Sequence, residues 1–319
     1  MKKFKAISAI IGIITILLGS GFFVAHFARK NSEAKIVVTA FPIYDIVTNI
    51  IGDDDDVILL SSGTDLHSYE PTPADIKTIS SSQLFITIGG ESWVEKTLSR
   101  INNPTMIYTC LMDYVDLLPV GGDNIAEDDH HHDDEESHEH DHSHFDEHIW
   151  LSINNMIKMT EVIYNNLIVS YPHMQSVYKS NYDNYMAELI AVEGEYSRAL
   201  VSKVTPIIVA DRFPFIYLTN DYNINYYAAF SGCSTDTEAS FDTIMTLIDR
   251  VDSTDVDYIF ILENPSKDII KMSDSVVTGC KKGRNVKKLE LNSCQSISSG
   301  SYIDIMRKNL ENLKKAIQS

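Results

Sequence analysis

Basic charge is in short supply: 26 Lys and Arg face 45 Asp and Glu in 319 residues, for a formal net charge of −19. That balance argues against nucleic acid or an anionic membrane surface as a partner, because both are bound through positive patches. Cysteine is equally scarce, with four residues, which excludes a disulfide-dense scaffold. Cys110, Cys233, Cys280 and Cys294 show no CxxC spacing, so zinc knuckles and thioredoxin-like chemistry are excluded too. A disulfide among the last three and free buried thiols stand level as alternatives. There is no GxSxG, and no HExxH or Ser-His-Asp order has the local context of a hydrolase site. What the chain does have is apolar content: 44% of residues are hydrophobic and 22% charged, enough for packed cores and too much for wholesale disorder. Its length fits roughly two domains.

The N-terminus sets an extracytoplasmic compartment. Lys2, Lys3 and Lys5 precede an uncharged run from Ala6 to Ala28. About 20 apolar residues span a bilayer, and basic residues on the N-terminal flank favour export of the downstream chain. Residues 1–30 are read as a signal peptide or membrane anchor. An uncleaved anchor is preferred, because the apolar stretch is long for a signal-peptide core and lacks a small-x-small site after Phe27. No Cys near its end offers a lipid attachment point. Everything beyond Lys30 is then expected outside the cytoplasm.

Beyond the anchor, strand-like runs alternate with helical patterns. Strands are expected at residues 36–41, 57–60, 84–88 and 105–110, with helices at 43–51, from Pro73, and at 91–101. Nearly continuous apolar strands separated by helices indicate a parallel sheet covered on both faces. A second lobe of the same kind places strands at 206–210, 258–262 and 286–291, with a last helix from about Tyr302. Between the lobes, the helical stripe Val177, Tyr178, Tyr182, Tyr185, Met186, Leu189, Ile190 and Tyr196 predicts a helix to about Ser202, roughly 42 Å long at the standard rise. The expected organisation is an α/β lobe at 36–172 with a loop at 123–147, a linker helix at 173–203 and a second α/β lobe at 204–319. Ligands of open α/β sheets sit at the C-terminal ends of the strands.

The histidines carry the chemistry. Eight of eleven fall between His130 and His148, and twelve of the 45 acids lie between Asp123 and Glu147. The stretch Glu127 to His144 reads EDDHHHDDEESHEHDHSH. Imidazole and carboxylate both ligate borderline divalent metals, and imidazole suits zinc, copper and nickel. With almost no apolar residues this tract cannot bury a core. His130, His131, His132, His138, His140, His142 and His144 are therefore read as a low-affinity collector, since each binding event must order a floppy segment. A more selective site needs ordered residues. His67 follows an apolar strand in Gly63-Thr64-Asp65-Leu66-His67, and His148 lies in Asp146-Glu147-His148-Ile149-Trp150-Leu151-Ser152.

The segment GTDLHSYEPTPADI, the acidic His-rich insertion, the motif DEHIWLS and the long linking helix together resemble the zinc-binding proteins of bacterial ABC importers, the cluster A-I solute-binding proteins. The resemblance runs from Ile36 to Gln318. It implies two Rossmann-like lobes joined by a rigid helix, a metal held in the cleft between them, and a membrane permease as partner. His67 and His148 match two of the family's ligating histidines. Two positions depart from the pattern. Arg212, in the loop expected after the first strand of the second lobe, stands where the family places a third His, and guanidinium has no lone pair to give. Asn292 stands at the position of the usual Asp or Glu. Because stable zinc sites generally take three or more protein ligands, Glu91, Glu263 and Glu238 are candidate replacements. The reading of each as an ordinary loop acid capping a helix is preferred, and a tract histidine or water offers another way to complete the shell.

The leading expectation is thus capture of Zn2+ by a monomer and delivery to an ABC permease, with membrane attachment through the N-terminal segment and no enzymatic activity. Mn2+ is the alternative cargo, though it favours oxygen-rich octahedral sites. A surface adhesin or passive metal buffer is the second class, and a zinc hydrolase the third.

Overall fold

Two four-stranded parallel sheets repeat one topology. In the computed structural model, which describes residues 35–52, 56–61, 68–121, 125–126, 145–201, 205–232, 239–254, 256–280, 286–295 and 300–317, the first sheet contains β1 (Ile36–Val38), β2 (Val57–Leu59), β3 (Leu84–Thr87) and β4 (Ile107–Cys110). Its order is β2-β1-β3-β4. The second contains β5 (Ile207–Phe213), β6 (Tyr226–Ser231), β7 (Tyr258–Leu262) and β8 (Lys287–Leu291), in the order β6-β5-β7-β8. In each sheet the direction of winding reverses beside the first strand, between β1 and β3 and between β5 and β7. Such switch points leave a crevice at the C-terminal strand ends. The helices are α1 (Phe41–Ile51), α2 (Pro73–Ser80), α3 (Val94–Leu98), α4 (Ile153–Ser170), α5 (Gln175–Leu200), α6 (Ile216–Asp221), α7 (Phe241–Thr254), α8 (Lys267–Gly279) and α9 (Tyr302–Ile317).

The expected α/β architecture is observed, with instructive local differences. β1 stops at Val38, because Pro42 suits the first turn of a helix and α1 already begins at Phe41. α1 ends at Gly52, whose left-handed φ of 76° lets its N–H reach Thr48 O. The second lobe has a fourth strand, β6, that its composition hides: Ala228 and Ala229 carry little β signal, yet both are fully buried. β5 runs through Phe213 with an irregular register between Val209 and Arg212. Asp211 and Arg212 therefore lie in the strand rather than in a loop after it. Cys110, Cys280 and Cys294 are buried and carry no disulfide. This settles the cysteine alternatives in favour of thiols, since any pair among the last three must use Cys280 or Cys294.

The linking helix α5 has 26 residues, about 39 Å. Tyr178, Tyr185, Leu189, Val192, Tyr196 and Leu200 form its buried stripe, whereas Val177 and Ile190 face solvent. A single apolar core runs along it from Ile36 in the first lobe to Ile317 in the second. The N-terminal segment read as an anchor lies outside the described residues, and no helix among those described is long and apolar enough to cross a membrane.

One buried acid ties both lobes to the spine. Asp45 of α1 accepts the Tyr185 hydroxyl of α5 at 2.7 Å and the Tyr302 N–H of α9 at 3.2 Å. Burial raises its pKa above the ordinary carboxylate value against the pull of those two donors. The unfolded chain therefore releases this proton first as pH rises, and folding becomes less favourable across the window above the ordinary pKa. The amide introduced by Asp45→Asn does not titrate. The stability of wild type relative to Asp45→Asn is expected to decline as pH rises above about 4, the ordinary carboxylate value, read from thermal melts of both proteins. A constant difference would show that Asp45 titrates alike in the folded and unfolded chain.

Candidate metal centre

The segment that leads into His148 is docked on the first lobe. Phe145 bridges antiparallel to Pro119, and Asp146 N–H reaches Leu118 O at 2.8 Å. This docking fixes Asp146, which in turn fixes His148. The carboxylate oxygen Oδ1 accepts both the backbone N–H of His148 and its ring Nδ1, each at 2.9 Å. A carboxylate accepts here, so the proton sits on Nδ1, and in that tautomer of the imidazole the lone pair is on Nε2. That is the arrangement by which a carboxylate orients a metal-ligating imidazole. His148 is fully buried and Asp146 is 2% exposed, so little water competes for the contact.

The second lobe clasps this segment from the other side. Tyr217 of α6 donates its hydroxyl to Asp146 O at 2.7 Å and accepts Leu118 N–H at 3.1 Å. Trp150, fully buried, donates its indole N–H to Ser293 O at 2.8 Å, and its carbonyl accepts the Tyr302 hydroxyl. The Trp150 ring stands edge-on to His148 with centroids 5.2 Å apart. Ser152 caps α4 and also donates to Asp221 Oδ2 at 2.6 Å.

Beyond β8 lies a tightly held turn. Asn309 of α9 binds both the N–H and the carbonyl of Asn292, while Asn292 Oδ1 accepts Cys294 N–H at 2.8 Å. Cys294 takes a left-handed φ of 57°, a conformation unfavourable for a side-chain-bearing residue unless its surroundings impose it. The turn delivers Gln295, whose Nε2 lies 3.0 Å from His148 Nε2. The amide that meets the imidazole is thus Gln295, and Asn292, the expected fourth position, instead turns its side-chain oxygen back on the turn.

Two of the three acids offered as replacement ligands, Glu91 and Glu263, hold backbone. Glu91 accepts the Thr39 hydroxyl, Ile88 N–H at 3.0 Å and Gly89 N–H at 2.7 Å, joining the ends of β1 and β3. Glu263, directly after β7, accepts Ser293 N–H at 2.9 Å and Ser293 Oγ–H at 2.5 Å. Burial raises its pKa, offset in part by those Ser293 bonds. Asp211 does the same work in the strand, taking Arg212 N–H and Leu262 N–H across the switch point of the second sheet. His67, Glu238 and the seven tract histidines lie outside the described residues. Among the described residues no group of three or more His, Cys, Asp and Glu stands ready for a metal.

Motif reading misses Gln295 and Asp146. Asp146 carries a local signal, a carboxylate two positions before a histidine. Gln295 carries none, being 147 residues from its partner.

Comparison with known proteins gives a consistent picture. The model of the family described as "Zinc-uptake complex component A periplasmic" matches residues 36–316. The zinc-binding protein AdcA of Streptococcus pyogenes is 28% identical over 97% of this chain and 61% of its own length. The zinc-binding lipoprotein AdcA of Streptococcus pneumoniae is 30% identical over 95% of this chain and 60% of its own. The chain thus spans about three fifths of these relatives. Among solved structures, the Zn(II)-bound ZnuA-like domain of Streptococcus pneumoniae AdcA superposes with a TM-score of 0.70 at 26% identity, covering 90% of this chain and all of that domain. The metal-dependent lipoprotein YcdH of Bacillus subtilis shares the fold, with a TM-score of 0.72 at 24% identity over 90% of this chain and all of its own. With the family match spanning nearly the whole length beyond the N-terminal segment, the chain belongs to the family of the periplasmic component A of zinc-uptake complexes.

Proposed function

We propose that this chain is the extracytoplasmic capture component of a zinc importer: a monomer that binds Zn2+ between its lobes and hands it to an ABC permease, without catalysing a reaction. The observation that carries this reading is His148, a fully buried imidazole at the seam of the lobes, with Asp146 holding its proton on Nδ1. Such a ring offers its Nε2 lone pair at no cost of rotation or tautomer change, which suits zinc better than the oxygen-preferring Mn2+. His67 is the second proposed ligand, on its match to the family motif. The tract between Glu127 and His144 collects metal at low affinity, and the N-terminal segment keeps the protein at the membrane.

Isothermal calorimetry on the full chain and on a form lacking residues 127–144 separates collector from site. One tight zinc site is expected to survive the deletion, while the weak, multiple binding disappears. If the deletion removes every zinc-binding event, the cleft is not the capture site and the chain is a passive buffer.

A further inference from the structure

We infer that Gln295 is a built-in competitor for the cation: while the site is empty its carboxamide donates an N–H to the Nε2 lone pair of His148, so every metal that uses this imidazole must first displace it. The inference deepens the zinc-capture reading and rests on it for the identity of the cargo.

The chemistry of the pair is dictated by Asp146. In the tautomer with Nδ1 donating to a carboxylate, Nε2 accepts, and the atom 3.0 Å away is the amide nitrogen of Gln295, which donates. Gln295 is also held rather than adrift. Glu263 grips Ser293 by two hydrogen bonds, Trp150 grips the Ser293 carbonyl, and Asn309 grips Asn292. The left-handed Cys294 between them aims the following residue back at His148. A long, polar side chain on so constrained a turn keeps its partner at hand without the entropy cost of a free loop.

The consequence is a site tuned for giving up its metal. A bond that stabilises only the empty state lowers apparent affinity by the fraction of molecules in which His148 is unoccupied by Gln295. On release, the carboxamide recaptures the ring and spares it from being left as a buried acceptor with a lone pair unmet. A carboxylate or a second imidazole at position 295 would instead retain the ion. Gln295 is thus a positioning and affinity-setting residue, and Glu263 supports it through the turn.

The test uses the full chain and two substitutions that remove the donor, Gln295→Leu, which keeps the bulk, and Gln295→Ala. In the metal-free protein with 15N-labelled histidine, the His148 ring is expected in the Nδ1–H form, assigned by its loss in His148→Gln. Its Nε2 resonance should move toward that of an unbonded acceptor in both variants. Zinc titration should show binding tightened about five- to tenfold, the worth of one hydrogen bond between neutral groups. An unchanged Nε2 resonance, or zinc binding that weakens or stays the same in both variants, overturns the inference. Zinc binding by the wild type that ignores His148 altogether overturns the capture reading instead, and the metal-free resonance still decides the role of Gln295.

Discussion

His148→Ala is expected to abolish the tight zinc site, weakening binding by more than the roughly 100-fold that changes to outer-shell partners produce. The imidazole is the one described side chain that is buried at the lobe seam, oriented by a carboxylate and equipped with a lone pair for a cation. Its removal takes away a bond to the ion and also leaves Asp146 as a buried acceptor with its ring partner gone. Calorimetry on the form lacking residues 127–144 gives the cleanest reading, because the tract's own histidines otherwise mask the loss. His148→Gln serves as a control for packing, since it fills part of the space and can still donate to Asp146. If both variants keep the wild-type zinc affinity while remaining folded by circular dichroism, the ion is held elsewhere and the role assigned to this segment fails.

What the amino-acid sequence makes legible divides along physical lines. The apolar runs at Ile36, Leu84 and Tyr258 and the tyrosine stripe of α5 are local signals, set by burial of the strands on both faces and by the 3.6-residue period of the helix, and the structure places strands and a helix there. Strand β6 is easily passed over in the sequence because two of its three buried central residues, Ala228 and Ala229, carry little β preference and are covered by the neighbouring β5 and α7. The stripe of α5 differs in detail from its expected form: Val177 and Ile190 lie on its solvent side, and Val192 faces inward. At the site the same divide holds. His148 and its carboxylate are two residues apart and belong to one motif. Glu263 meets Ser293, and Gln295 meets His148, only through the fold, and a single sequence gives no distance between strands. Family pattern places the fourth side chain at Asn292, but a turn with one left-handed residue displaces the useful amide to Gln295.

Trp150→Ala is expected to be the most damaging substitution for stability, costing about 3–5 kcal/mol, the range for emptying a buried large aromatic site. Trp150 is fully buried in the core shared by both lobes. Its indole N–H satisfies Ser293 O, which belongs to the turn that presents Gln295. The loss is therefore twofold: a cavity at the seam, and a carbonyl deprived of its donor, itself about 1–3 kcal/mol where water cannot reach it. Trp150→Phe separates the two, keeping most of the ring and removing the N–H, and should fall between wild type and Ala. Urea unfolding followed by circular dichroism measures both. Because the same residue braces His148 and the turn after β8, the Phe variant should also loosen the Gln295 contact and so shift zinc affinity without touching a ligand. A Trp150→Ala protein within about 1 kcal/mol of wild type would mean that Trp150 does not bear the contact between the lobes, since a cavity of that size at a bearing contact costs several times more.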